Sequence, residues 1–165
     1  MRKRFQLSKL NADGFGLVEV IVGASIISAS LVLIIFVFQG IIGLSQDNLR
    51  GVQAAFLAEE GLEVVRSLRN QDWQNLTNLT TETDYGLTFS LVSGWQIDTE
   101  ITLIDNLFDR RFRLKEVYRD ANNQIATTGT LDPESYQIIS SVAWNNGQAT
   151  STKVVTSYLM NILSE

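Results

Sequence analysis

Three hydrophobic rhythms follow one another along the chain, and each predicts a different element. From Val20 to Phe38, 19 residues carry no charge, enough for a helix to cross a bilayer. No charge returns until Asp47. From there the spacing becomes helical: Ala54, Leu57, Ala58, Gly61, Leu62, Val65 and Leu68 share a face, with Glu59, Glu60, Glu63, Arg66 and Asn70 mostly opposite. Glu63 and Arg66 can pair at i,i+3. No proline interrupts either stretch, so one helix from about Phe15 to about Asn70, roughly 80 Å long, is predicted. Its first half is apolar all round and needs lipid or other helices. Its second half needs a sheet to lie against.

Period two then takes over. Leu87, Phe89 and Leu91 alternate with Thr88 and Ser90; Trp95, Ile97, Ile101 and Leu103 oppose Gln96, Asp98, Glu100 and Thr102. Phe112, Leu114 and Tyr118 alternate with Arg111, Arg113 and Lys115, while Tyr136, Ile138, Val142 and Trp144 form a fourth set and Val154 to Ile162 a fifth. Such alternation predicts antiparallel strands with one covered and one wet face. Asn146-Gly147 signals a type I′ hairpin and Ala121-Asn122-Asn123 a weaker turn. Pro133, the only proline, is placed in the connection before the fourth strand, and the polar stretch from Asp72 to Asp84 links helix to sheet as the most variable surface. The fold class is therefore α+β, a long N-terminal helix packed on an antiparallel sheet of about four to five strands.

One residue breaks the first rhythm. Glu19 stands where the apolar run begins, and a charge inside a span marks function by default. Just before it, Gly14-Phe15 closes a short polar leader holding Arg2, Lys3, Arg4 and Lys9. A cut after Gly14 would free an α-amino group on Phe15, a cation at the depth of Glu19. In a medium with little water the two attract strongly, within one chain or between neighbours.

At these residues the chain resembles the type IV pilin and pseudopilin family, whose members carry a basic leader, Gly, a cut, Phe, and Glu at the fifth mature position. Gly16 departs from the commoner Thr or Ser. The stretch from Leu57 to Arg66 resembles the helix of PilV-like minor pilins, and Trp144, Gly147, Tyr158, Leu159 and Asn161 resemble that group's last hairpin. The resemblance implies a pilin-like fold in three parts: a leader over 1–14, a membrane and filament-core helix over 15–45, and an extracytoplasmic domain over 46–165. It implies cleavage between Gly14 and Phe15 by a prepilin peptidase, methylation of the Phe15 amine, and an assembly and register role for Glu19. The implied partners are other pilin or pseudopilin subunits, the peptidase, an inner-membrane assembly platform and, before assembly, the bilayer.

Composition agrees with export. The leader has four basic residues and one acid, whereas the rest carries 9 basic and 17 acidic residues. That asymmetry places the leader in the cytoplasm and the C-terminus outside. The chain has no cysteine and no histidine. A disulfide framework, a lipoprotein anchor and a thiol nucleophile are excluded, along with the commonest general base. Nothing points to catalysis, a cofactor or a metal. An ordinary secretory signal is disfavoured by the length of the apolar run, by Glu19 within it, and by the lack of a small-x-small site after Phe38.

Other candidates have blander readings beside them. Gly23, Gly40 and Gly43, with Ala24, Ser25, Ser28, Ala29 and Ser30, would permit close helix approach or local unwinding, though spanning helices also simply tolerate glycine. Arg110, Arg111, Arg113, Lys115 and Arg119 make a basic strand whose face over Arg111, Arg113 and Lys115 could grip DNA. A solvated face neutralised by Asp109, Glu116 and Asp120 is favoured over it. Asp105, Asn106 and Asp109 offer oxygens to calcium but match no loop motif, so a turn is favoured. Asn75 and Asn78 open two sequons, read here as polar loop. The functional expectation is a minor pilin or a pseudopilin of a pilus, a type II secretion system or a DNA-uptake system. The rival from another class is a signal-anchored surface adhesin or binding domain.

Overall fold

The structure is a computed structural model that describes residues 16–147 and 149–162. One helix, α1, runs over Leu17–Gln71, followed by a short α2 over Gln74–Thr77 and six strands: β1 Asp84–Ser90, β2 Gly94–Asp98, β3 Asp109–Arg119, β4 Ile125–Ala126, β5 Thr130–Asn145 and β6 Thr150–Met160. The strands form one antiparallel sheet in the order β2-β1-β3-β5-β6, with β4 pairing β3 off that path. By contact density the chain divides into Met1–Ser45 and Gln46–Glu165.

Within the second unit, the helix lays its small residues on the sheet. Ala54, Ala58, Gly61, Leu62, Val65 and Leu68 are buried, together with Val64 and Arg69; Leu57 is only half-buried. Leu62 and Val65 meet Tyr85, Phe112, Leu114, Ile138 and Leu159 in one cluster. Ala54 and Ala58 meet Phe108, Val142 and Trp144 in the other. Gly61 is required by close approach, since a Cβ there would stand 2.6 Å from the Ser140 hydroxyl.

The polar link after α1 contains the short helix α2 and is tied back to α1. The Asn75 side-chain amide donates to the Leu68 carbonyl at 3.0 Å, satisfying a helix-end acceptor, and Leu76 is fully buried.

On β1 the alternating set fails at Phe89, which is exposed although its pairing with β2 is regular; on β3 the set holds where pairing is regular and fails where it is not. Phe112 and Leu114 face inward as expected, but the β3–β5 register shifts between Glu116 and Val117. Val117 turns into the core and Tyr118 does not, so Tyr118 leaves the face assigned to it. On β5 the pairing jumps from Asp132 to Tyr136. Pro133 therefore sits inside β5, at an irregularity where its missing N–H costs no ladder bond, and not in a connection before the strand.

Leu91 lies outside β1: it and Val92 form the exposed tip of the β1–β2 hairpin, which Gly94 closes with φ +72°. β2 stops at Asp98, whose carboxylate accepts from the Glu100 N–H at 3.0 Å. That local turn keeps Ile101 and Leu103 out of the strand.

The reversal is set one residue later than the Asn146-Gly147 pair predicts. Asn145 pairs with Thr150, and the Asn146 N–H bonds the Ala149 carbonyl at 3.2 Å. The left-handed pair expected there occurs instead at Asp105 and Asn106, with φ 51° and 57°. It is closed by the Leu107 N–H on the Ile104 carbonyl at 3.0 Å and flanked by the Ile104–Phe108 bridge.

Candidate functional site

Glu19 occupies the first turn of α1, where its N–H bonds the Gly16 carbonyl at 2.9 Å. A carboxylate there faces the positive end of the helix dipole. The leader through Gly14, and Phe15 after it, lie outside the described residues, so the expected cleavage site and amine have no geometry here. Around Glu19 the side chains of Leu17, Val18 and Val20 are exposed, as are the large apolar residues on to Leu44. The helix is long and apolar enough to cross a membrane, and its most apolar window has mean hydropathy 2.8 with nothing buried inside the chain. This surface needs an apolar environment from outside the molecule.

Two serines within that stretch are locally satisfied. The Ser25 hydroxyl donates to the Ile21 carbonyl at 2.7 Å and Ser30 to Ile26 at 2.8 Å, the back-bonding that lets serine sit in a dry helix. Gly23, Gly40 and Gly43 have no neighbour within 4 Å of an added Cβ. Their smallness serves no contact within the described residues, in contrast to Gly61. The helix runs unbroken through all three, so the unwinding alternative is absent from this conformation.

The basic strand divides by parity. Arg110 shares the inward side with Phe112 and Leu114 and is only 5% exposed. It pairs with Glu60 on α1, lies 5.2 Å over the Trp95 ring, and donates to the Leu87 carbonyl at 3.4 Å. It is a clasp between helix and sheet, not part of a basic face.

The outward cations are matched by carboxylates. Arg111 bonds Asp109 at 2.6 Å and lies 3.7 Å from Asp84. Arg113 bonds Asp84 at 2.7 Å, Lys115 reaches Glu82 at 3.6 Å, and Arg119 meets Asp132 at 2.6 Å. The hydrogen bond that Arg111 donates to Asp109 raises its pKa from the ordinary value; burial opposes this, and the charges of Asp109 and Asp84 reinforce it.

The neutralising partners differ from those expected. Asp109 acts as foreseen, but Glu116 accepts from the Tyr118 hydroxyl at 2.7 Å, which raises the pKa of that phenol. Asp120 accepts from the Asn122 and Gln124 N–H groups in the turn. Glu82, Asp84 and Asp132 supply the remaining charge.

The other candidates resolve into structural roles. Asp105 and Asn106 form the tight reversal described above, and the Asp109 carboxylate is engaged by Arg111. Among the described residues, no group of three His, Cys, Asp or Glu side chains could hold a metal ion. Asn75 is occupied in capping, and Asn78 closes α2.

Sequence reasoning overlooked Arg69, which is buried and donates to the Met160 carbonyl at 2.8 Å, tying the end of α1 to β6. Its position four residues after Val65 on the apolar face was the available signal. No protein-family model, no curated protein and no solved structure matches the chain.

Proposed function

We propose that this chain is a minor pilin or pseudopilin, cut after Gly14, methylated on the Phe15 amine and assembled into a type IV filament or a related one. The observation that carries the reading is Glu19. It is the single charged side chain from Leu17 to Gln46, a stretch whose large apolar residues are all exposed. Before assembly the apolar arm lies in the cytoplasmic membrane, with the leader inside and the domain from Gln46 outside. On assembly, lateral packing against other arms replaces lipid. Heterologous contacts of this kind propagate into a helical array without closing. The Phe15 amine of one subunit meets Glu19 of its neighbour, and each charge relieves the desolvation of the other. A misregistered subunit would bury both unpaired, so the pair sets axial position.

Substituting Glu19→Ala tests this directly. The expected outcome is normal cleavage, a mature N-terminus at Phe15 carrying one methyl, and loss of the subunit from the sheared filament fraction. Normal incorporation of the variant would refute the register role. An uncut chain in the working, exported protein would refute the family reading itself and favour a signal-anchored domain.

A further inference from the structure

The tip of the β1–β2 hairpin is apolar where a turn is ordinarily polar. Leu91 and Val92 are 96% and 97% exposed, so neither side chain finds cover within the described residues. Behind them Phe89 and Trp95 stand opposite each other in register with their rings 5.2 Å apart, and Phe89 is itself exposed. From Tyr85 to Ile97 no residue is charged. The turn is internally bonded: Gly94 takes φ +72°, and the Ser90 hydroxyl accepts from the Val92 N–H at 3.3 Å. A backbone donor at the apolar tip is thereby satisfied without water.

Register fixes the direction in which the tip points. β1 runs antiparallel to β3, with Asp84 opposite Arg113 and Tyr85 opposite Phe112. Its later residues therefore advance toward Asp109, which pairs with Ala143 of β5. At that end Phe108 and Trp144 pack on Ala54 and Ala58, whereas Phe112 and Ile138 pack on the later turns at Leu62 and Val65. The hairpin thus extends toward Gln46, where this unit begins. Leu87 sits beside Arg110 and Glu60. Leu91 lies roughly 13 Å further along the chain, a distance covered by about nine helical residues, which brings the tip level with Gly51. Charge returns at Asp47, directly after Gln46. In a chain whose apolar arm spans a bilayer, this is the end of the domain nearest the headgroups by connectivity alone.

We infer that the β1–β2 hairpin is a second membrane contact, with Leu91 and Val92 entering the boundary between headgroups and acyl chains. The inference rests on the spanning arm of the reading above and adds a lipid contact made by the soluble domain before assembly. Aliphatic side chains at such a contact sit shallowly in the acyl region. Phe89 and Trp95 lie at headgroup level, where aromatic rings are favoured. Without charge across the hairpin, the contact depends on burial and not on anionic lipid.

The chain has no cysteine, so single introduced thiols can carry an environment-sensitive fluorophore. The full chain is reconstituted in vesicles of phosphatidylethanolamine and phosphatidylglycerol and labelled at one of three sites. These are Val92→Cys at the tip, Ala121→Cys in the turn beyond the opposite end of β3, and Val32→Cys in the apolar arm. Lipid carrying a shallow nitroxide should quench the Val92 site about threefold more than the Ala121 site, and aqueous iodide about threefold less. Leu91→Asp behind the Val92 label should bring both readings to those of Ala121, with thermal unfolding unchanged because the tip lies outside the strands. Equal quenching at the tip and at Ala121 would overturn the inference. So would lipid quenching that survives Leu91→Asp, or shielding from iodide without lipid quenching, which marks a protein pocket. The Val32 site reports on the arm separately. Lipid quenching there with an aqueous Val92 defeats the hairpin contact alone, whereas an aqueous Val32 defeats the spanning reading with it.

Discussion

Arg119 on β3 holds Asp132 on β5 at 2.6 Å, beside the register shift of the two strands. Its hydrogen bond is the main reason that the Asp132 pKa is lowered from the ordinary value. Burial opposes the shift, and hydrogen bonds from Ser135 and from the Glu134 N–H add to it. A carboxylate whose pKa is lower folded than unfolded stabilises the fold above its unfolded pKa, and that stability disappears as pH falls through the folded value. Asp132→Asn should therefore cost about 1 kcal/mol near neutrality. The gap to the parent should close on acidification from the ordinary carboxylate range downward. Urea midpoints measured across that range check the sign; a gap that widened in acid would contradict it.

Glu60 and Glu59 are adjacent, but only Glu60 pairs with the buried Arg110. Removing Glu60 strands a guanidinium that is otherwise held only by Trp95 and a long bond to the Leu87 carbonyl. Glu60→Ala is expected to lower stability by about 1–3 kcal/mol. Glu59→Ala should stay within about 0.5 kcal/mol. Thermal unfolding of the domain measures both.

At the scale of elements, the contact of α1 with β5 is decided by two small residues. Ser140 is fully buried with its hydroxyl unpartnered, and it stands where a Gly61 side chain would go. Gly61→Ala gains helix propensity of about 1 kcal/mol but crowds that hydroxyl, for a net loss of about 1 kcal/mol. Ser140→Ala clears the space and removes an unsatisfied group. The double variant should thus be at least as stable as the parent. A denaturation cycle over the four proteins would show coupling of about 1–2 kcal/mol, and additive effects would refute the crowding.

The same pair of elements shows what could be read from residues alone. The helix was legible because a sustained 3.6-residue period needs no partner to be recognised, and its buried stripe emerged nearly whole. On β3 the inward face was legible up to Leu114, and the parity that buries Arg110 was already present in Phe112 and Leu114. A reading of charge as solvated masked it. Tyr118 and Pro133 were misplaced for one physical reason: a shift in register depends on the partner strand, and a single strand's sequence does not carry that information. Glu19 was legible because lipid makes a charge conspicuous.

At the scale of the whole molecule, the buried side chains among the described residues all come from Ala54 onward, while Met1–Ser45 separates from the rest by contact density. Both core clusters, from Ala54 to Leu159, lie inside the second unit. Packing of that sheet under the helix's last turns needs nothing from the apolar arm. With no cysteine in the chain, burial and the Arg69, Arg110 and Arg119 ties must supply its stability. A fragment beginning at Gln46 should therefore fold by itself and unfold in one cooperative step, with near-ultraviolet signals from Trp73, Trp95 and Trp144 lost together. The full chain should need detergent or a membrane, because the exposed surface from Leu17 to Leu44 far exceeds what a monomer keeps in water. If the fragment melted without cooperativity while the full chain in detergent did not, the arm would be a structural part of the domain. Its free apolar surface would then no longer argue for an external partner.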